Sequence, residues 1–142
     1  MHKISQAFIM LILVGVFALA ANHTPALAAD LAGTSWKLIS YGPSGHPTSA
    51  VANVETDLTF GVDGKVTGSL GCNTFSGDYT VKDGKLVFGR VMSTMLACES
   101  PRMAQESAAF QVLAGTVSYK KDGASLAIYA ANADVVLSLQ QK

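Results

Sequence analysis

The sequence has no surplus of either charge and little that supports chemistry. Acidic and basic side chains balance at ten each, so there is no cationic footprint for gripping nucleic acid. Histidine occurs three times. His2 and His23 fall in an N-terminal stretch that reads as a leader, which leaves His46 as the one imidazole for proton transfer near neutral pH. It sits in a Gly/Pro loop with no partner nearby and reads as solvent-exposed. No Gly-x-Ser-x-Gly elbow occurs, and a Ser-His-Asp triad would have to use this loop histidine. The two cysteines are far apart, histidines are not clustered, and acidic residues are scattered, so neither a zinc set nor a calcium loop is present. Asp63, Asp83 and Asp122 belong to turns. Glu55 and Asp57 share one face of an extended strand, and a solvated face explains them more simply than a glycosidase pair. Lys120-Lys121 reads in the same way, as a solvated hairpin end. These shortages predict a protein with no catalytic residues, no metal and no cofactor, hence not an enzyme.

The hydrophobic share of 49% is unevenly spread. After His2 and Lys3, the run from Ala7 to Ala21 contains no charged or strongly polar side chain. At ~1.5 Å per residue, a helix of this run falls short of the ~30 Å hydrocarbon core. Polar Asn22-His23-Thr24-Pro25 follows, then Ala26-Leu27-Ala28, with small residues where a signal peptidase needs them. The expected organisation is a cleaved signal peptide over residues 1–28 and one domain over 29–142, beginning at Ala29 or Asp30. The alternative, a buried N-terminal helix of the domain, is disfavoured because no face of the run is polar. Neither cysteine lies near the cleavage site to carry a lipid, so the expected location is the periplasm or the secreted fraction, with no stable membrane anchor. Cleavage removes Lys3 and leaves every Asp and Glu, so the mature domain is slightly acidic.

A domain of about 110 residues can bury a real core, yet is small enough for a cross-link to matter. Cys72 and Cys98 are an even pair in an oxidising compartment, which favours a disulfide over two separate buried thiols. Closing a loop of about 26 residues would stabilise by ~3–4 kcal/mol on the chain-entropy account.

From Gly33 onward, apolar and polar residues alternate between turn signals. Thr34–Tyr41 reads as the first strand, ended by Gly42–Pro47, where prolines and glycines exclude regular structure; Thr48–Val54 is left unassigned. Three Asp-Gly turns then join pairs of strands: Asp57–Phe60 with Lys65–Leu70 about Asp63-Gly64, Gly77–Val81 with Lys85–Phe88 about Asp83-Gly84, and Val117–Lys120 with Ser125–Tyr129 about Asp122-Gly123. A last strand, Val135–Leu139, follows a turn at Asn132. One segment breaks the pattern. Ser100 suits an N-cap, Pro101 the first helical position and Gly115 the position past the end. Between them Met103, Ser107, Phe110 and Ala114, flanked by Leu113, share one face, while Arg102, Gln105 and Glu106 point elsewhere. The expected fold is mainly β (α+β), a small antiparallel roll or barrel of about eight short strands with one inserted helix packed on it.

Gly33-Thr34-Ser35-Trp36-Lys37-Leu38, Leu58-Thr59-Phe60 before an Asp-Gly turn, Gly71-Cys72-Asn73-Thr74-Phe75-Ser76-Gly77-Asp78-Tyr79, and Ser93-Thr94 before Ala97-Cys98 are similar to the META domain, also called HslJ-like, over essentially the whole mature chain. The resemblance implies a compact antiparallel domain with a helix, in envelope proteins linked to heat or antibiotic stress and, in some parasites, to virulence. It implies no established enzymatic activity. Where family members often carry a basic residue and then methionine before the Ala-Cys, this chain has Met95 and Leu96, so a partner contact made by that basic side chain would be missing here.

The Gly-Cys-Asn-x-Phe-x-Gly-x-Tyr segment also has a physical reading. Gly71 and Gly77 permit tight or bulged backbone, Asn73 suits αL or a bond to nearby backbone, and Phe75 and Tyr79 alternate onto one face, so the segment turns a corner of the sheet. Every residue in it has an architectural job available. The functional alternative is a recognition surface at Asn73, Thr74 and Ser76. Two functions remain: an exported envelope interaction domain binding an envelope protein or surface polymer, or a small barrel carrying an apolar ligand. Trp36, Leu58, Phe60, Tyr79, Phe88, Phe110, Ile128 and Leu137 are ample to plug so small a barrel, which favours the first.

Overall fold

The structure, a computed structural model, describes residues 30–142, so the expected leader and its cleavage site lie outside the described residues. The elements run β1 (Thr34–Pro43), β2 (Thr48–Ser49), β3 (Asp57–Phe60), β4 (Lys65–Ser69), β5 (Thr74–Lys82), β6 (Lys85–Phe88), β7 (Met92–Ser93), α1 (Ser100–Val112), β8 (Gly115–Asp122), β9 (Ser125–Tyr129) and β10 (Val135–Gln141). β1, β3, β4, β5, β6, β8, β9 and β10 pair in that order, every pair antiparallel, and β10 pairs back onto β1. This is a closed eight-stranded antiparallel barrel of up-and-down connectivity with one α-helix among the described residues. Closure leaves the barrel itself with no unpaired edge.

Alternation along the strands aims one side chain in two at the axis. Trp36, Leu58, Phe60, Val66, Leu86, Ile128 and Leu137 are fully buried in one continuous cluster. Tyr79 packs edge-on against Phe60, with ring centroids 4.9 Å apart, and its hydroxyl donates to the Gly61 carbonyl at 2.8 Å. Burial, with the Asp63 charge behind it, raises the phenol's pKa.

The connectivity makes the two ends unlike. All three tight hairpin turns fall at one end, where Asp83 and Gly84 take positive φ angles of 51° and 72°, as a type I′ turn requires. Leu31 plugs this same end. It is fully buried, with Gly33 donating to the Phe60 carbonyl and Thr34 to that of Leu31. The longer connections, including β7 and α1, gather at the other end.

Three expectations need correction. β1 continues through Gly42 and Pro43, paired with Val136 and Val135; Pro43 needs no donor of its own to sit at a strand end. The helix begins one residue early. Glu99 is its N-cap, in extended conformation and without a side-chain cap, and its carbonyl receives the N–H groups of Arg102 and Met103. At the far end Leu113 is the C-cap, while Gly115, at φ +64°, opens β8.

The third correction concerns the helix face. Gln105, Glu106, Ala109 and Val112 are buried, whereas Ser107 and Ala114 are exposed and Met103 and Phe110 are half-buried. The polar side chains that were expected to meet water point inward because the barrel mouth presents backbone groups with no strand to pair them.

Candidate functional site

The motif corner lies at the helix-covered end, between β4 and β5. Here the chain turns through Leu70–Asn73, and α1 supplies the hydrogen bonds that a strand ladder cannot. Gln105 Nε2 donates to the Leu70 carbonyl at 2.7 Å, and its Oε1 accepts from Val51 N at 2.7 Å. Arg102 Nε donates to the Gly71 carbonyl at 2.9 Å. Glu106 accepts three bonds: from Cys72 N at 2.8 Å, Asn73 N at 2.5 Å and Asn73 Nδ2 at 2.6 Å. Burial pushes the Glu106 carboxyl up, but the bonds from Asn73 and Cys72 and the charge of Arg102 outweigh it and hold its pKa below the ordinary carboxylate value.

Asn73 uses its whole amide. Besides Glu106, Nδ2 donates to the Leu96 carbonyl at 3.2 Å, and Oδ1 accepts from Thr94 Oγ1 and Leu96 N at 2.7 Å each. With 3% of its surface exposed, Asn73 is buried beneath the recognition surface expected of it, its amide taken up by Glu106, Thr94 and Leu96. Thr74 and Ser76, the other two members, are exposed on β5.

Close approach, not special backbone angles, explains the motif's glycines. A Cβ on Gly71 would lie 2.5 Å from the Arg102 carbonyl oxygen and 2.9 Å from Glu106 Cβ, so the corner seats α1. A Cβ on Gly77 would lie 2.9 Å from Val91 Cγ2 and 3.0 Å from the Arg90 oxygen. Gly77 sits under a bulge: β6 pairs with the second half of β5 and β7 with the first half, the register stepping by one residue between Tyr79↔Phe88 and Ser76↔Met92.

Cys72 and Cys98 form a disulfide, with Cα atoms 6.0 Å apart, well inside the bridging range. Residues 89–98 therefore make a strap across the barrel mouth. It is held at one end by β7 on β5, in the middle by Asn73, and at the other end by the disulfide just before α1.

That strap carries an apolar ridge. Met95 is 97% exposed, Leu96 64% and Met92 63%. Beside it an open groove of about 350 Å³ is lined by Thr74, Ser76, Met92, Ser93 and Thr94. A second, of about 240 Å³, runs between Val91 and Ser93 of the strap and Phe110 of α1 with its C-cap Leu113. The strap's strand and its ridge went unrecognised in the sequence, since two paired residues between loops leave no periodic signal.

The remaining candidates stay apart. His46 is exposed in the loop after β1. Asp57 pairs with Lys142 at 3.0 Å and accepts from Thr59 Oγ1 at 2.9 Å, whereas Glu55 is exposed ahead of the strand. Among the described residues no three His, Cys, Asp or Glu side chains gather as metal ligands, and no helix is long and apolar enough to cross a membrane.

A closed meander barrel whose mouth is covered by a helix and a disulfide-pinned strap defines a small β-barrel domain of the META type. The META domain family matches residues 29–142, and the chain belongs to that family. None of the curated proteins matches it. Among solved structures, it is similar to a protein from Burkholderia xenovorans determined by NMR, with a TM-score of 0.68 and 22% identity over 100% of this chain and 97% of that one. It is also similar to a DUF4847 family protein from Bacteroides vulgatus, with a TM-score of 0.57 and 13% identity over 80% of this chain and 96% of that one. At these identities the likeness concerns the fold.

Proposed function

We propose that this chain is an exported envelope accessory domain that acts by binding another protein or a surface polymer, and not by catalysis. The observation that carries the proposal is the strap. Its large apolar side chains stand in water on a segment fixed by a disulfide, a strand pairing and a saturated asparagine, which is the arrangement of a preorganised contact surface. Thr74 and Ser76 supply polar groups at the ridge's margin. A disulfide in the fold supports an oxidising, extracytoplasmic location, in keeping with the leader-like apolar run. A role in heat or antibiotic tolerance is carried over from the family resemblance alone. Carriage of an apolar ligand, the runner-up, has the barrel axis against it: Trp36, Phe60, Ile128 and Leu137 fill that space with no exposed surface.

Site-specific photo-crosslinking in the native host tests this. A photoreactive residue at Ser76 should give one discrete adduct, and one at Val62, 85% exposed at the opposite end, should not. Equal labelling from both positions, or none from Ser76, would overturn the proposal.

A further inference from the structure

The ridge has a chemical property beyond being apolar: two of its three large side chains are thioethers. Met95 is 97% exposed and Met92 63%, so oxidants in solution reach both sulfurs, whereas Met103 on α1 is half-buried. Met92 is held in place by its backbone pairing with Ser76. The groups that hold the strap are the Cys72–Cys98 bond and the Asn73 amide with Thr94, Leu96 and Glu106. Neither methionine side chain takes part in them. In most cores methionine oxidation disrupts packing, because a polar, chiral sulfoxide replaces a flexible apolar chain. Here the same change falls on side chains that stand mostly in water and outside the buried core cluster.

We propose that Met95 and Met92 form a modification site for two-electron oxidants such as peroxides, at which sulfoxide formation turns the apolar ridge polar while the barrel, the corner and the disulfide stay intact. The thioether sulfur attacks one peroxide oxygen, the O–O bond breaks, and hydrogen peroxide leaves as water. Sulfur is oxidised by two electrons, peroxide is reduced by two, and one oxygen is added per methionine. Reduction by a methionine sulfoxide reductase reverses the step. The consequence for binding rests on the docking surface proposed above; the modification itself does not.

The experiment uses the mature, disulfide-intact protein titrated with hydrogen peroxide and followed by peptide mapping, thermal melting and hydrophobic-interaction chromatography. One added oxygen should appear at Met95 and at Met92 before Met103, with the melting transition retained and elution from the apolar column earlier. The double variant Met92→Leu/Met95→Leu should lose both early oxidations and the elution shift. Oxidation of Met103 as early as Met95, or loss of the melting transition as Met95 is oxidised, overturns the site. Crosslinking from Ser76 in the wild-type protein then tests the consequence: the adduct should disappear on oxidation and return after reductase treatment. An adduct that persists on the oxidised wild-type protein overturns the switching of the surface. If Ser76 gives no adduct under any condition, the docking surface fails while the order of oxidation still decides the modification site.

Discussion

Asn73 and Glu106 form the polar centre of the molecule, and each makes the other's burial tolerable. The carboxylate receives three N–H groups at the corner, and the amide saturates both its donors and both its acceptors. A partly satisfied version of such a network costs more than no network, since every orphaned group retains its desolvation penalty. Asn73→Asp replaces the NH₂ group, and both its donors, by one oxygen that faces the Glu106 carboxylate and the Leu96 carbonyl, and should destabilise by about 3 kcal/mol or more in urea unfolding, through lost hydrogen bonds and like-charge repulsion. Glu106→Gln keeps the shape but turns an NH₂ group toward N–H donors, for an expected loss of about 2–3 kcal/mol at neutral pH. The pH dependence has a fixed sign. Because the folded pKa of Glu106 is lowered, its stabilisation is fully present above the unfolded carboxylate value of about 4.3 and is lost as pH falls through the lower folded value. The gap between wild type and Glu106→Gln should therefore close in acid; a gap unchanged down to pH ~2 would rule out the charged form as the source.

At the scale of elements, α1 works as a lid on the barrel mouth, and the disulfide fixes where that lid begins. The bond joins the β4–β5 corner to the residue before the helix cap, so its loss frees both the strap and the helix start. Cys72→Ala and Cys98→Ala should each destabilise by up to ~3–4 kcal/mol, the chain-entropy value for this loop. The double variant should cost little more than either single one, because both remove the same cross-link. Thiol labelling of the unfolded, unreduced protein should find no reactive cysteine; two labelled thiols per chain, or additive losses, would argue for independent residues. Gly71→Ala tests the seating of the helix without touching the bond. The new methyl group would press on the Arg102 carbonyl and on Glu106, and a loss of about 1–3 kcal/mol is expected from such overpacking.

For the molecule as a whole, the two barrel ends divide the work. The tight-turn end is a stability end, plugged by Leu31, and Leu31→Ala should cost about 2–5 kcal/mol by opening a cavity beneath it. Leader cleavage at Ala29 or Asp30 would keep that plug in the mature chain, and N-terminal sequencing that found the apolar run still attached would overturn the export proposal. The helix-covered end holds the strap, the grooves and the ridge. His46, exposed on a loop after β1, belongs to neither the core nor the ridge. His46→Ala should leave folding and any crosslinked adduct unchanged, and a loss of biological activity without a loss of stability would reopen the case for catalysis.

Local rules of backbone and hydrophobicity were enough to read most of the barrel from sequence. β3, β6 and β9 have the bounds expected of them, since alternation places a buried side chain every second residue and Asp-Gly turns fix where the pairing reverses. The Cys72–Cys98 pairing was legible from the even count together with the oxidising compartment that the leader-like run implies. What only the tertiary structure decided is the orientation of α1 and the nature of the site. Hydrophobic periodicity assumes that a helix buries its apolar face, yet Gln105 and Glu106 face inward here, because the backbone groups they satisfy, at Val51, Leu70, Cys72 and Asn73, come from segments 33–54 residues away in sequence. Likewise Asn73, Met92, Met95 and Leu96 carry no sign in the sequence of which is buried and which is displayed. That assignment depends on where the strap crosses the mouth of the closed barrel, which long-range strand pairing and the cross-link determine together.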